Sequence, residues 1–362
     1  MADNEITQAH AVDRLDEAGI PHVLLPVGAD STIVVCERGA RIFGPFVNAS
    51  TSLAWMPAAF RDRRAFEHLV ASGHWNLGGE RIWIGPEIQY MIPDRDNYWG
   101  TYTLPAAMDP GTHTLDTSTM AEARLRQHLH LRPYRLTEAA KALDIAIHVQ
   151  SASDPLRYVH DHGALVRDVS FAGYRQTVTI SETTRDAVMS ESWNLLQLNP
   201  GGKVIVPCAT PTEISDYYEP VDSHLAQHAG WAEVTITGAR RFKIGFKSAH
   251  VSGRLGYLHF ATDGIAYLLV RSFYNDPSSN YTEEPDFAAG QVGDSTHIYN
   301  DDGALGGFGE LEARGRAIGA TTGRSTSTDE FTTWCYRGPA RAVRTIARQL
   351  LGPYNPMGNT QI

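Results

Sequence analysis

An all-β fold of antiparallel sheets is the class this sequence predicts, on three observations. Apolar residues fall mainly in short segments of period two. Gly, Pro, Asn and Asp punctuate those segments. No regular helix alternates with them, which argues against βαβ winding. A chain of 362 residues can bury roughly three quarters of its unfolded surface. No repeat of 20 to 50 residues marks a propeller or solenoid, and a single domain over residues 1–362 is expected.

The first element is a helix at about 4–19, where Ile6, Ala9, Val12, Leu15 and Ala18 recur at helical spacing and Gly19 and Pro21 stop it. Strands follow at 23–25, 32–36, 81–84, 124–132, 145–150, 175–180 and 192–198. More strands follow at 203–206, 233–237, 241–246, 255–260, 267–272, 309–314 and 331–336. Two polar loops, 93–119 and 275–294, are long enough for lids or binding loops, or are plain surface insertions. A second helix at about 339–351 places Val343, Ile346, Ala347 and Leu350 on one stripe, with Arg341, Arg344 and Arg348 off it.

A net charge of -10 gives no basic surface to displace counterions, so binding to nucleic acid is not expected. Cys36, Cys208 and Cys335 form neither a disulfide framework nor a CxxC pattern. Residues 1–19 carry no apolar signal core, and no run approaches the ~18 apolar residues of a membrane span. A cytoplasmic, reduced protein without membrane contact is expected, its oligomeric state left open.

Chemistry concentrates in two segments. Over residues 309–316, strand parity sends Glu310, Glu312, Arg314 and Arg316 to one face and Leu311 and Ala313 to the other. Over residues 78–87, Arg81, Trp83 and Glu87 share one face against Ile82 and Ile84. Charges on a strand also suit an edge protected from pairing. Two matching rows with an aromatic ring suit a carbohydrate floor. Lys243 interrupts Phe242, Ile244 and Phe246, so it points away from the apolar row, into a cleft or into water.

Together with Trp193-Asn194-Leu195-Leu196-Gln197-Leu198 and Tyr299-Asn300-Asp301, these segments resemble the galactose mutarotase-like superfamily, in particular a bacterial branch of it, over about residues 78–336. The resemblance implies a β-supersandwich of antiparallel sheets with a few peripheral helices and a sugar pocket on the concave face of one sheet. In aldose 1-epimerases of that superfamily a late Leu-Glu strand supplies the general base, and Leu311-Glu312 looks like that position. An early Asn-Arg-Ile segment supplies a sugar-binding arginine, which Arg81-Ile82 resembles, with Glu80 in the asparagine's place. The family's acid is a histidine shortly after an Asn-Leu pair. Here Asn194-Leu195 is followed by Leu196, Gln197 and Leu198, and that histidine is missing.

Mutarotation needs a base on the anomeric hydroxyl and an acid on the ring oxygen. Glu312 is the candidate base, with Glu310 beside it. Candidate acids are His297, near Tyr299 and Asn300, and His128 or His130, which share a strand face. The expected sugar-binding set is Arg81, Trp83, Glu87, His130, Gln197, Lys243, Asn300, Asp301 and Arg314. His128-x-His130 and His160-Asp161-His162 could each chelate, but spacing fixes no third ligand, so no metal is expected. The Asn300-Asp301-Asp302-Gly303 cluster lacks the twelve-residue calcium loop and reads as a turn, with Asx side chains and Gly supplying its geometry. No Walker A lysine, dinucleotide fingerprint or GxSxG elbow is present, and no cofactor is expected. The sequence leaves open an aldose epimerase-like enzyme, a non-catalytic sugar-binding or sensing module, and a sugar lyase or glycoside-cleaving enzyme.

Overall fold

The structure, a computed structural model, describes residues 6–48, 52–118, 121–135, 140–183 and 188–352. Among these residues, two large sheets carry nearly all the regular structure. The first has nine strands in the spatial order His22–Gly28, Ser31–Cys36, Arg41–Val47, Glu80–Gly85, Glu191–Leu198, Gly309–Arg314, Asp294–Asn300, Phe242–Lys247 and Ile214–Asp216. The second has ten, in the order Leu225–His228, Trp231–Thr235, Lys203–Pro207, Arg254–Phe260, Ile265–Phe273, Thr326–Pro339, Ser170–Glu182, Lys141–Ser151, Glu122–Leu131 and Thr114–Ser118. The pairings within both sheets are antiparallel, as the segment pattern predicts.

The apolar sides of the sheets meet in the main hydrophobic cluster, where Ile82, Ile84, Leu311 and Ala313 from the first join Leu125, Ile145, Val178 and Leu269 from the second. A polar seam crosses this core. Glu80 accepts from Arg271 at 2.7 Å and from Asn194 at 2.6 Å, and Tyr174 donates its hydroxyl to it. Glu80 therefore faces the interior and its arginine partner, away from the expected sugar floor. A buried carboxylate needs such a partner.

The N-terminal helix runs Gln8–Glu17, capped by a reciprocal Thr7–His10 box. Its expected first residues, 4 and 5, lie outside the described residues, as does residue 119 at the end of the first long loop. A helix at Arg63–Ala71, started by the Asp62 side chain, packs beside it. Leu15, Phe60 and Phe66 then cover Val34, Phe43 and Phe46 of the first sheet. The C-terminal helix, Ala340–Leu351, buries Val343, Ile346, Ala347 and Leu350 against Leu258, Leu268 and Val270 of the second sheet. Gly256 permits this contact, because a β-carbon there would lie 2.2 Å from Leu351. Among the described residues, no helix is long and apolar enough to cross a membrane.

Candidate functional site

Five spatially consecutive strands of the first sheet, Glu80–Gly85 to Phe242–Lys247, bring the candidate residues together by register. Arg81 lies opposite Leu195, Leu195 opposite Glu312, and Glu312 opposite His297. Gln197, Glu310, Tyr299 and Lys243 form a parallel line of opposed residues, and Trp83, Trp193 and Arg314 form a third. Directly opposed residues share a sheet face, so Arg81, Trp83, Gln197, Lys243, His297, Glu310, Glu312 and Arg314 all point away from the core seam. Arg316 departs from the expected row: the strand ends at Arg314, and the Arg316 backbone N–H turns to the Asp329 carboxylate at 3.1 Å.

Four buried cations on this face each hold a near carboxylate. Arg41 meets Asp109 at 2.6 Å, Arg81 meets Glu310 at 2.8 Å, Lys243 meets Glu87 at 2.8 Å and Arg314 meets Glu283 at 2.5 Å. Two further carboxylates, Glu312 and Glu191, share Arg314 more loosely, at 3.9 and 3.4 Å. Glu312 also accepts from the Trp193 indole at 2.9 Å, and Lys243 and His297 stand 3.6 and 3.8 Å from it.

Excess negative charge in a dry site favours protonation of the least well paired groups. Burial pushes Glu312 up to about 7 against the pull of Lys243 and Arg314, with Glu310 and Glu87 adding to the rise. Burial likewise raises Glu191 to about 7, opposed by Arg314. Burial, reinforced by Arg314 and Lys243, holds His297 well below the usual histidine range. Burial disfavours the Lys243 ammonium, but Glu312 and Glu87 outweigh it and hold that group above the usual lysine value.

Aromatic rings fix the cations. The Arg81 guanidinium lies 4.1 Å from the Trp83 ring centre, and the Arg314 guanidinium 3.9 Å and Lys243 4.5 Å from that of Trp193. Trp83 is edge-on to both Trp75 and Trp193 and donates its indole N–H to Asp109 at 2.9 Å, so its ring is enclosed. Gly85 leaves room for Arg314, whose Nη1 would lie 2.4 Å from a β-carbon there.

The row is covered. No member of it, from Arg81 to Arg314, is more than 9% exposed. Where the resemblance implies a sugar pocket on a concave sheet face, both long loops lie over the face and seal it. Asp109 comes from the first and Glu283 from the second, and Arg95 ties the two by donating to the Pro285 carbonyl at 2.8 Å. Tyr98, Trp99, Tyr102 and Tyr218 close the side above Glu87, with the Tyr218 hydroxyl donating to Glu87 at 2.8 Å.

Three expected binding residues lie off this site. His130 belongs to the second sheet, on the exposed face of Glu122–Leu131, where its Nε2 is 2.9 Å from that of His128. A surface depression of about 560 Å³ opens beside that pair, lined by Arg126, His128 and Asp144, on a different sheet from the buried charges. Among the described residues, no group of three or more His, Cys, Asp or Glu is placed to hold a metal. Asn300 points to the opposite face from His297 and accepts from the backbone of Thr237 and Gly238. Asp301 accepts from the Gly303, Leu305 and Gly307 backbone, the turn-bracing alternative for that cluster. Gln197 does face the row, fully buried, with neither amide atom hydrogen-bonded. Trp193 was within reach of the parity argument applied to 192–198, and Glu191 stands one residue before that segment. Asp109 and Glu283 were not, since loops carry no period.

Among solved structures, the chain is similar to a candidate aldose 1-epimerase from Escherichia coli K12, at TM-score 0.49 and 11% identity, covering 88% of this chain and 99% of that one. It is also similar to a galactose mutarotase related enzyme from Lactobacillus acidophilus, at TM-score 0.42 and 8% identity over 88% and 97% of the two chains. A candidate aldose 1-epimerase from Klebsiella pneumoniae gives TM-score 0.42 and 8% identity over 93% and 89%. No curated protein matches the sequence. The model of a family of unknown function, DUF6786, matches residues 10–354, and the chain belongs to that family.

Proposed function

We propose that this protein binds a sugar against the ionic face of its first sheet and moves a proton at or near the anomeric carbon, with Glu312 as the base. The observation that carries this reading is the state of Glu312. It is a buried carboxylate that shares Lys243 and Arg314, at 3.6 and 3.9 Å, with nearer carboxylates, raised to about 7, on a face shared with hydrogen-bond donors and aromatic rings. A carboxylate poised there can take a proton from an anomeric hydroxyl and return it at neutral pH. His297 is held uncharged, so it suits a hydrogen-bonding role better than delivery of a proton as imidazolium. Glu191, raised to about 7 on the same face, is the candidate acid for the ring oxygen. We read the two sheets as one domain working in the cytoplasm, where three unpaired buried cysteines are at home.

The sealing of the row favours a second reading, a sugar-binding or sensing protein that turns nothing over. The test is interconversion of α and β anomers, followed by NMR exchange on a panel of aldoses and uronates. Glu312→Gln is expected to lose roughly 100-fold or more of the rate while sugar affinity changes little. Equal rates in both proteins would remove Glu312 from the chemistry. Binding without turnover in the wild type would establish the second reading.

A further inference from the structure

The charges on this face come from two sources, the sheet itself and the segments laid over it. The sheet supplies Arg41, Arg81, Lys243 and Arg314, with Glu191, Glu310 and Glu312. The closest partner of Arg314 is supplied from above. Glu283 lies in the stretch between strands Ile265–Phe273 and Asp294–Asn300, which contains no helix or strand. One Glu283 oxygen takes Arg314 at 2.5 Å and the Glu87 backbone N–H at 3.2 Å, while the other is buried without a hydrogen-bond partner. Burial opposes its charge, but Arg314 and Lys243 prevail and hold it below the usual carboxylate range.

We propose that Glu283 occupies the place of an anionic group on the substrate, and that the site takes a sugar carrying a carboxylate, a uronic acid, which displaces Glu283 from Arg314. The proposal rests on the sugar-binding reading and names the class of sugar. Arg314 is already organised for a carboxylate, its guanidinium held over Trp193, its Nη2 donating to Glu283 at 2.5 Å and its Nη1 to Glu191 at 3.4 Å. Exchange of one carboxylate for another leaves the buried charge unchanged. A neutral sugar that pushed Glu283 aside would strand a buried guanidinium without its closest partner, which is strongly unfavourable.

The segment around Glu283 is held by few other bonds. The Thr282 N–H donates to Glu191 at 3.1 Å, Asp286 N–H to the Tyr217 carbonyl at 3.0 Å, and Arg95 to Glu284 and Pro285. Release of Glu283 would therefore also free Glu191 from its Thr282 hydrogen bond. Substrate capture and exposure of the second titrating carboxylate become one event.

The test is calorimetric binding at pH 7.5 of glucuronate, galacturonate, glucose 6-phosphate, glucose and galactose to wild type and Glu283→Gln. Gln keeps the size of Glu283 and removes its charge. Uronate binding should tighten at least tenfold in Glu283→Gln, and neutral-sugar binding should change less than threefold. Tightening for glucose 6-phosphate alone would overturn the uronate assignment. Hydrogen exchange on the wild type checks the same claim without a variant: the hydrogen-bonded amides of Thr282 and Asp286 should lose protection with glucuronate and keep it with glucose. Neutral sugars binding as well as uronates, with no change in Glu283→Gln and no loss of protection, would overturn the proposal and leave the sugar reading standing. If no sugar binds either protein, the sugar reading falls and takes this proposal with it.

Discussion

Glutamine in place of Glu312 is expected to make the protein more stable above neutral pH, and by an amount that depends on pH in a defined way. Glu312 titrates near 7 in the fold and near 4.5 once unfolded. Below pH 4.5 the carboxyl is protonated in both states, and the buried neutral group costs nothing extra. As pH rises from 4.5 to 7 the unfolded chain gives up its proton first, so the native state loses stability; above 7 the loss is complete. Integrated over that window, the loss is about 3 kcal/mol. Gln carries no such loss. Its side-chain oxygen can still accept from Trp193, and Lys243 keeps Glu87 at 2.8 Å. Glu191 produces a similar slope in both proteins and cancels in the comparison. Urea unfolding of wild type and Glu312→Gln at half-unit steps from pH 4.5 to 8.5 should show the curves diverging up to about pH 7 and then running parallel, with Gln more stable. A gap independent of pH, or one that favours the wild type increasingly as pH rises, would refute the assignment of a raised Glu312. A site residue whose removal stabilises the fold is the expected mark of function held at a cost in stability.

Trp83→Ala should cost about 3–5 kcal/mol by denaturant unfolding, because the ring is packed between Trp75, Trp193 and Arg81. Wild-type stability with weakened sugar binding would show that the ring faces ligand instead. Gly85→Ala should cost about 1–3 kcal/mol and move the Arg314 guanidinium in a crystal structure, since its β-carbon would meet Nη1 at 2.4 Å. An unmoved Arg314 at full stability would contradict the register described for Glu80–Gly85 and Glu191–Leu198.

The parts of the site that lie on strands were legible, because side-chain alternation has an exact period of two. Glu310, Glu312 and Arg314 were placed on one face by parity alone, as were Arg81 and Trp83, and Lys243 was placed opposite Phe242 and Ile244. Parity cannot say which sheet a strand joins. His130 was rightly on the polar side of its strand, but that strand pairs into the second sheet, which the sequence does not show. Five strands escaped notice, Arg41–Val47, Thr114–Ser118, Ile214–Asp216, Leu225–His228 and Asp294–Asn300, the first and the last of them for opposite reasons. Gly44 and Pro45 break the period in Arg41–Val47. Asp294–Asn300 is buried on both faces, yet polar nearly throughout, so it shows no apolar alternation. The charge partners Asp109 and Glu283 come from long loops, and their pairing with Arg41 and Arg314 depends on contacts between segments far apart in sequence. The sealing of the face was hidden with them.

The most direct test of the central claim is a crystal structure of the protein with a bound sugar from the panel that it turns over, or binds most tightly. The ring is expected against Trp193 and Arg314, with the anomeric hydroxyl within about 2.6–3.2 Å of a Glu312 oxygen. A sugar bound at the surface depression beside His128, or bound on this face with its anomeric carbon away from Glu312, would contradict it.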